Sequence, residues 1–293
     1  MSFAGDGIRL SVVIPAFNAG SALAEQLESL ATQTFPEPFE VVIADNGSTD
    51  NTRQICEQFR PRLHTLVVLD ATGERGPAFA RNTGIAAAKS DVILTLDQDD
   101  LAAPDYVERM AKALEDHNWV AGRLDYLRLN PTWALPFGEL LQSESIQTYM
   151  AHLPAAATCV MGFHRSLWEK VGGFDNRMRL GDDIDFCWRA IAAGEEIHFE
   201  PAAVVHYRLR HTIRARYRQG LGYGESRAEI VARYHPPRPP GAVSNVRQPS
   251  ALTRLIKNAL REPRRTAMST AGLIGGKLGE RRANQARAAV ERS

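Results

Sequence analysis

Short apolar runs and helical patterns alternate through the first hundred residues. Leu10–Ile14, Val41–Ala44, Thr65–Leu69 and Val92–Leu96 are brief and rich in Val, Ile and Leu, as strands buried on both faces are. Between them, Ser21–Thr32 carries Leu23, Leu27 and Leu30 at helical spacing, and Asp50–Phe59 places Ile55 and Phe59 four apart. Pro77–Lys89 reads as a third helix. Strands alternating with helices predict an α/β fold, a mostly parallel sheet sandwiched by helices with right-handed crossovers. In such sheets ligands meet the carboxyl ends of the strands, so the residues just past each strand come first.

Those residues are polar. Pro15-Ala16-Phe17-Asn18 follows the first strand, Asp45-Asn46-Gly47-Ser48-Thr49-Asp50 the second, and Asp97-Gln98-Asp99-Asp100 the fourth. Turns favour such residues anyway, but three such loops converging on one sheet edge outweigh that explanation. Alternate carboxylates at a strand end can face one cavity, and hard oxygen ligands suit Mg²⁺ or Mn²⁺ shared with phosphates. A solvated acidic turn before the helix that follows Pro104 is the plainer alternative. A second cluster, Gly181-Asp182-Asp183-Ile184-Asp185, opens a predicted helix that runs to Ala193. The helix dipole favours acids there, yet three acids in four residues exceed what capping needs. Two clusters imply a division of labour, one holding a metal on a leaving phosphate and the other taking a proton from an incoming hydroxyl. His206, closing a short strand at Ala202–Val205, reads either as a nitrogen ligand or as a partly buried histidine.

Elsewhere the pattern is looser. From Asn118 to about Leu153 prolines interrupt it, which predicts an irregular acceptor-side excursion. Ala157–Phe163 reads as a strand, Arg165–Val171 as a short helix and His211–Tyr234 as an Arg-rich helix. A Pro-rich linker (236–249) follows. The segment 250–293 begins with an amphipathic helix, Leu252, Leu255, Ile256 and Leu260 opposing Arg254, Lys257 and Arg261. Farther on, Gly272, Gly275, Gly276 and Gly279 weaken helix. The expected division is therefore a domain over 1–235, with a donor half (1–117) and an acceptor half (118–235), then linker and tail.

Charge sharpens this division. The net charge of +1 hides 16 Lys and Arg against 29 Asp and Glu in residues 1–205, and 19 against 5 in residues 206–293. Residues 250–293 alone carry a net +7. A basic amphipathic tail fits an anionic membrane surface, although packing on the acidic body or a second subunit (a homo-oligomer) would also use it. Nucleic acid is disfavoured, because the tail has no aromatic residue for base stacking. No apolar run reaches the roughly 18 residues of a span or resembles a signal peptide, so a cytoplasmic protein, peripheral at most on the cytosolic face of the membrane, is expected. Three scattered cysteines, Cys56, Cys159 and Cys187, fit reduced, buried side chains.

The ordered set Val12-Val13-Ile14-Pro15-Ala16-Phe17-Asn18, Asp45–Thr52, Ala80-Arg81-Asn82-Thr83-Gly84 and Leu96-Asp97-Gln98-Asp99-Asp100 resembles the inverting family 2 glycosyltransferases of the GT-A fold. Gly172-Gly173-Phe174-Asp175, Asp182–Arg189 and Val205-His206 continue it in the same order, over roughly residues 9–210. The resemblance implies a single GT-A-like domain with a helical basic extension, a nucleotide-sugar donor and a hydroxyl acceptor (a saccharide, a lipid-linked molecule or a small molecule). It implies a donor pocket from Pro15, Ala16, Phe17, Asn18, Asp45, Asn46, Gly47, Arg81, Asn82, Asp97, Gln98 and Asp99, although Arg81 could instead pair with a structural carboxylate. Mg²⁺ or Mn²⁺ would be held by Asp99, His206 and Asp97. Asp183 would be the catalytic base, supported by Asp182, where the family usually has a glutamate. Trp168 is an acceptor candidate, and Trp133, Phe137, Tyr149 and His152 share its aromatic character. A nucleotidyltransferase of similar fold, or an inactive binder of sugar nucleotides or anionic surfaces, is the alternative.

Overall fold

The computed structural model describes residues 7–137, 140–236 and 258–290. The first half alternates as expected: β1 (Leu10–Ala16), α1 (Gly20–Ala31), β2 (Phe39–Asp45), α2 (Thr52–Phe59), β3 (Thr65–Asp70), α3 (Pro77–Ala87) and β4 (Val92–Thr95). β5 (Leu101–Ala102), α4 (Tyr106–Asp116) and β6 (Trp119–Asp125) follow. Two short strands, β7 (Thr148–Tyr149) and β8 (Leu153–Pro154), make a separate ribbon. Then come β9 (Met161–His164), α5 (Arg165–Val171), α6 (Asp182–Ala192), β10 (His198–His206), α7 (Ile213–Tyr234) and α8 (Pro263–Val290).

The main sheet has eight strands in the order β3-β2-β1-β4-β9-β6-β10-β5. Its first four strands are parallel neighbours, whereas β9 runs antiparallel to both β4 and β6. The all-apolar runs are explained by burial: every residue of β1 and β2 is buried. β6 lies within the stretch from Asn118 to Leu153 that the prolines mark as irregular. Its sequence, Trp-Val-Ala-Gly-Arg-Leu-Asp, is buried over its first four positions, and Gly122 is required because a Cβ there would strike the backbone of Ala203 on β10. A glycine that looks like a breaker in sequence is here a place where two strands approach closely.

The described residues within Met1–Asp125, Leu141–Gln147 and Pro154–Tyr207 form one compact unit; those within Tyr126–Leu140, Thr148–Leu153 and Arg208–Ser293 form another. This differs from the expected division, a domain over 1–235 followed by a linker over 236–249. The Arg-rich helix α7 belongs with the tail because Gly220 and Gly224 lie against the backbone of Gly272 and Gly276, and Gly275 and Gly279 against that of Tyr217 and Leu221. The tail glycines do not interrupt α8, which is continuous over 28 residues. They let it approach α7 backbone to backbone, as small-residue stripes do between close helices. Of the predicted amphipathic segment, 252–257 lies outside the described residues, as do 237–249 of the linker.

Candidate active site

Strand ends and backbone register assemble the site in the first unit. The turn after β4 is clasped from below by Gln26 of α1, fully buried, which donates to the Asp97 carbonyl at 3.0 Å and accepts from the Ala102 amide at 3.3 Å. β5 then pairs with β10 so that Leu101 lies opposite His206, and β6 pairs on the other side so that Asp125 lies opposite His206. Register therefore brings His206, about a hundred residues away in sequence, beside the Asp97–Asp100 turn. Asp125 Oδ2 lies 2.6 Å from His206 Nδ1. A carboxylate on one ring nitrogen fixes the orientation and tautomer of the imidazole.

The second acidic cluster enters through Gly181, whose φ of +81° turns the chain into α6. Asp182, Asp183 and Asp185 occupy the first turn of that helix. Arg81 of α3, 3% exposed, reaches both clusters: Nη1 donates to Asp182 Oδ2 at 2.7 Å and Nη2 to Asp97 Oδ1 at 3.4 Å. The guanidinium also lies 5.1 Å from the centre of the Phe174 ring. Burial pushes Asp183 up to about 7 and repulsion from Asp182 adds to this, against the Ile184 amide and Arg81. Burial likewise raises Asp97, with Arg81 opposing. One cation shared among three carboxylates leaves the cluster short of positive charge, which is the electrostatic setting for a divalent ion.

The carboxylates gathered here fit such an ion. Among the described residues, a group of three ligand atoms within 4.8 Å of one another is Asp97, Asp100 and Cys159, which shares Asp97 with the expected set of Asp97, Asp99 and His206. Burial, with the nearby Asp100 and Asp97 charges, holds the Cys159 thiol well above its usual range, so it stays protonated and the set offers hard oxygens. Mg²⁺ and Mn²⁺ are the ions that suit it.

Several residues expected to line a donor pocket turn out to staple loops together. Gln98 Oε1 accepts from the Phe17 amide at 2.8 Å, Asn18 Oδ1 from the Thr49 amide at 2.8 Å, and Asn46 bridges Ala71, Glu74 and Gly76. Asp45, fully buried, accepts from the Ser48 amide across the Gly47 turn (φ +88°) and from Arg53. Burial alone would raise it, but these contacts outweigh that and hold it below the usual carboxylate range. Pro15 and Ala16 lie inside β1, whereas Phe17 is 49% exposed just past it. Asn82 serves the Gly172–Asn176 turn: it accepts from the Phe174 amide and from Trp168 Nε1, both at 2.9 Å, and donates to the Phe174 carbonyl at 2.7 Å. Trp168 is thus tied to that turn. Trp133 packs its edge on His211, and Phe137 lies under Arg265 at 4.4 Å, both within the second unit.

Sequence reading missed four contributors. Arg189 binds Asp185 at 2.6 Å together with the Val171 and Gly173 carbonyls, fixing α6 to the turn before it; its i,i+4 spacing from Asp185 was a readable signal. Gln26, Asp125 and Cys159 carried none, since each acts only through register or tertiary approach.

The family model described as Glycosyl transferase family 2 matches residues 11–172. The chain belongs to that family. Among relatives, the pre-mycofactocin glycosyltransferase of Mycobacterium tuberculosis is 29% identical over 241 residues, covering 77% of this chain and 48% of its own. Glycosyltransferase AglE of Haloferax volcanii is 27% identical over 193 residues, 65% of this chain and 64% of its own. The chain thus spans about half the length of the mycobacterial relative. Two solved structures share this chain's fold at 20% identity. Staphylococcus aureus TarS 1–349 in complex with UDP-GlcNAc has a TM-score of 0.55 and covers 94% of this chain and 92% of that one. The mannosyltransferase PcManGT from Pyrobaculum calidifontis, in complex with GDP-Man and Mn²⁺, has a TM-score of 0.59 and covers 99% and 76%.

Proposed function

We propose that the protein is a divalent-metal-dependent inverting glycosyltransferase that moves a sugar from a nucleoside-diphosphate donor to an acceptor hydroxyl. The observation that carries this reading is the meeting of two acidic clusters, from β4 and α6, on the single guanidinium of Arg81. UDP-GlcNAc bound by TarS and GDP-Man with Mn²⁺ bound by PcManGT support a nucleotide sugar as donor.

Asp97, Asp99 and Asp100 with His206 would hold the ion; when bound, it neutralises charge on the departing diphosphate. The loop past β1 and the Asp45 turn receive the nucleoside. Asp183 takes the acceptor proton as the hydroxyl attacks the anomeric carbon from the face opposite the diphosphate, which inverts that centre through an oxocarbenium-like state. A carboxylate with its pKa near 7 suits this work, because the base must be ionised yet strong enough to accept a proton. Trp168, tied beside the Gly172–Asn176 turn, is proposed to border the acceptor.

Thermal-shift screening of UDP-GlcNAc and GDP-mannose with and without Mn²⁺ tests donor binding, since a ligand at a hundredfold excess over its Kd stabilises by about 2.7 kcal/mol. Asp183→Asn tests the chemistry. It should keep donor and metal while transfer falls by about 10²–10⁴; transfer near the wild-type rate would move the base elsewhere.

The tail is proposed to hold the enzyme on an anionic membrane surface. Leu260, Leu273 and Ile274 are exposed among Arg261, Lys277, Arg281 and Arg282, and no described helix is long and apolar enough to cross a membrane.

A further inference from the structure

Arg81 lies in the Ala80–Gly84 segment that the sequence places in the donor pocket. Its surroundings argue for another task. A guanidinium offers five N–H groups in a fixed fork. Here Nη1 is taken by Asp182 and Nη2 by Asp97, while Nε is buried without an acceptor. Phe174 covers the group at 5.1 Å, and the residue is 3% exposed. A side chain so enclosed is badly placed to grip a diphosphate arriving from solvent.

The neighbouring residue has a matching task. Asn82 spends its side-chain amide on Phe174, Asn176 and Trp168. Consecutive residues of α3 thus hold the two pieces of chain that lead into and begin α6. Arg81 fixes the first helical turn through Asp182, and Asn82 fixes the Gly172–Asn176 turn ahead of it. On the far side of the same turn Arg189 donates to the Val171 and Gly173 carbonyls and to Asp185. Asp183 therefore sits between two anchored carboxylates, Asp182 and Asp185. Its backbone has little freedom to carry the carboxylate away from an acceptor hydroxyl.

We infer that Arg81 is a positioning residue for the base: it locks Asp182, and through it the turn of α6 that carries Asp183, to the Asp97 turn, and does not itself bind the donor. This rests on Asp183 being the base. One guanidinium thus ties both halves of the site, through Asp182 and Asp97. Lysine could not replace it fully, because a single ammonium lacks the fork that spans two carboxylates.

The test uses the full chain carrying Arg81→Met, Arg81→Lys, Asp182→Asn and the double variant Arg81→Met/Asp182→Asn. Three quantities are read: affinity for UDP and for GDP with Mn²⁺ by calorimetry, amide hydrogen exchange over 181–189, and nucleoside-diphosphate release over a range of UDP-GlcNAc and of GDP-mannose concentrations. Arg81→Met should hold nucleotide affinity within about threefold, speed exchange at 182–186 and cut kcat at least tenfold with donor KM unchanged. Arg81→Lys should recover part of kcat, and the double variant should be no slower than the worse single one, because both changes remove one link. If Arg81→Met does not fold, Arg81→Lys and Asp182→Asn carry the same comparison. A tenfold or greater loss of nucleotide affinity, or unchanged exchange at 182–186, overturns the inference. Failure of the base assignment is separate: it is read from Asp183→Asn retaining turnover, whatever Arg81 does.

Discussion

At the residue scale, the half-buried carboxylate of Asp183 makes stability depend on pH in an unusual direction. Asp183 is pushed from the ordinary aspartate value of 3.8 to about 7 by burial first and Asp182 second. The folded chain thus keeps a proton there that the unfolded chain gives up, and stability must fall as pH rises from about 4 through 7. Asp183→Asn removes the effect. Without metal or nucleotide, the variant's Tm relative to the wild type should rise between pH 5 and pH 8; parallel profiles would place the ionisation elsewhere. His206 offers a second residue-scale test. Its Nδ1 is engaged by Asp125 at 2.6 Å, so Asp125→Asn should weaken Mn²⁺ binding by about 10–100-fold, as loss of such an orienting carboxylate does. Calorimetry with Mn²⁺ would read it, and unchanged affinity would remove His206 from the ligand set. Asp99→Ala should abolish the gain in nucleotide affinity that Mn²⁺ provides; a full metal effect in that variant would leave the role to Asp97 and Asp100 alone.

At the element scale, the pairing of α7 with α8 decides the sign of a mutation. In an isolated helix, replacing an interior glycine by alanine stabilises by about 1 kcal/mol. Gly224, however, lies against the backbone of Gly276, and a Cβ there would collide with it. Gly224→Ala should therefore destabilise, by about 1–3 kcal/mol as overpacking does. Urea unfolding of the full chain measures it. A gain in stability would mean that the two helices do not meet at that face. The same reasoning covers Gly84 of α3, whose Cβ would meet Val13 Cγ1 at 2.5 Å. The small residue lets α3 sit close on β1, which holds Arg81 and Asn82 at the strand ends.

At the scale of the whole molecule, the segregated charge and the exposed apolar residues of the tail lead to a vesicle experiment. Each basic side chain near an anionic surface contributes about 1 kcal/mol. The wild type should float with anionic vesicles at low salt and less so at high salt. Leu273→Asn/Ile274→Asn/Lys277→Glu/Arg281→Glu, which leaves the glycine face of α8 intact, should stay at the bottom of the gradient. Equal flotation of the two proteins, or none with the wild type, would end the membrane proposal.

The layered fold and the inventory of chemistry are legible in the chain's local patterns. Burial on both faces forces strands such as Val41–Ala44 to be uninterrupted apolar runs, and metal and proton chemistry demand acids, so both patterns are local and readable. Tertiary structure decided which acids meet and what surrounds them. Asp100, past β4, and Cys159, just ahead of β9, join Asp97; His206 arrives by its register with Leu101 and Asp125; and Arg81 reaches Asp182 and Asp97 together. Gly122 and the glycines of α8 read as breakers in the chain and act as close contacts in the fold. Each depends on atoms distant in sequence, and a one-dimensional pattern carries no distance between such atoms.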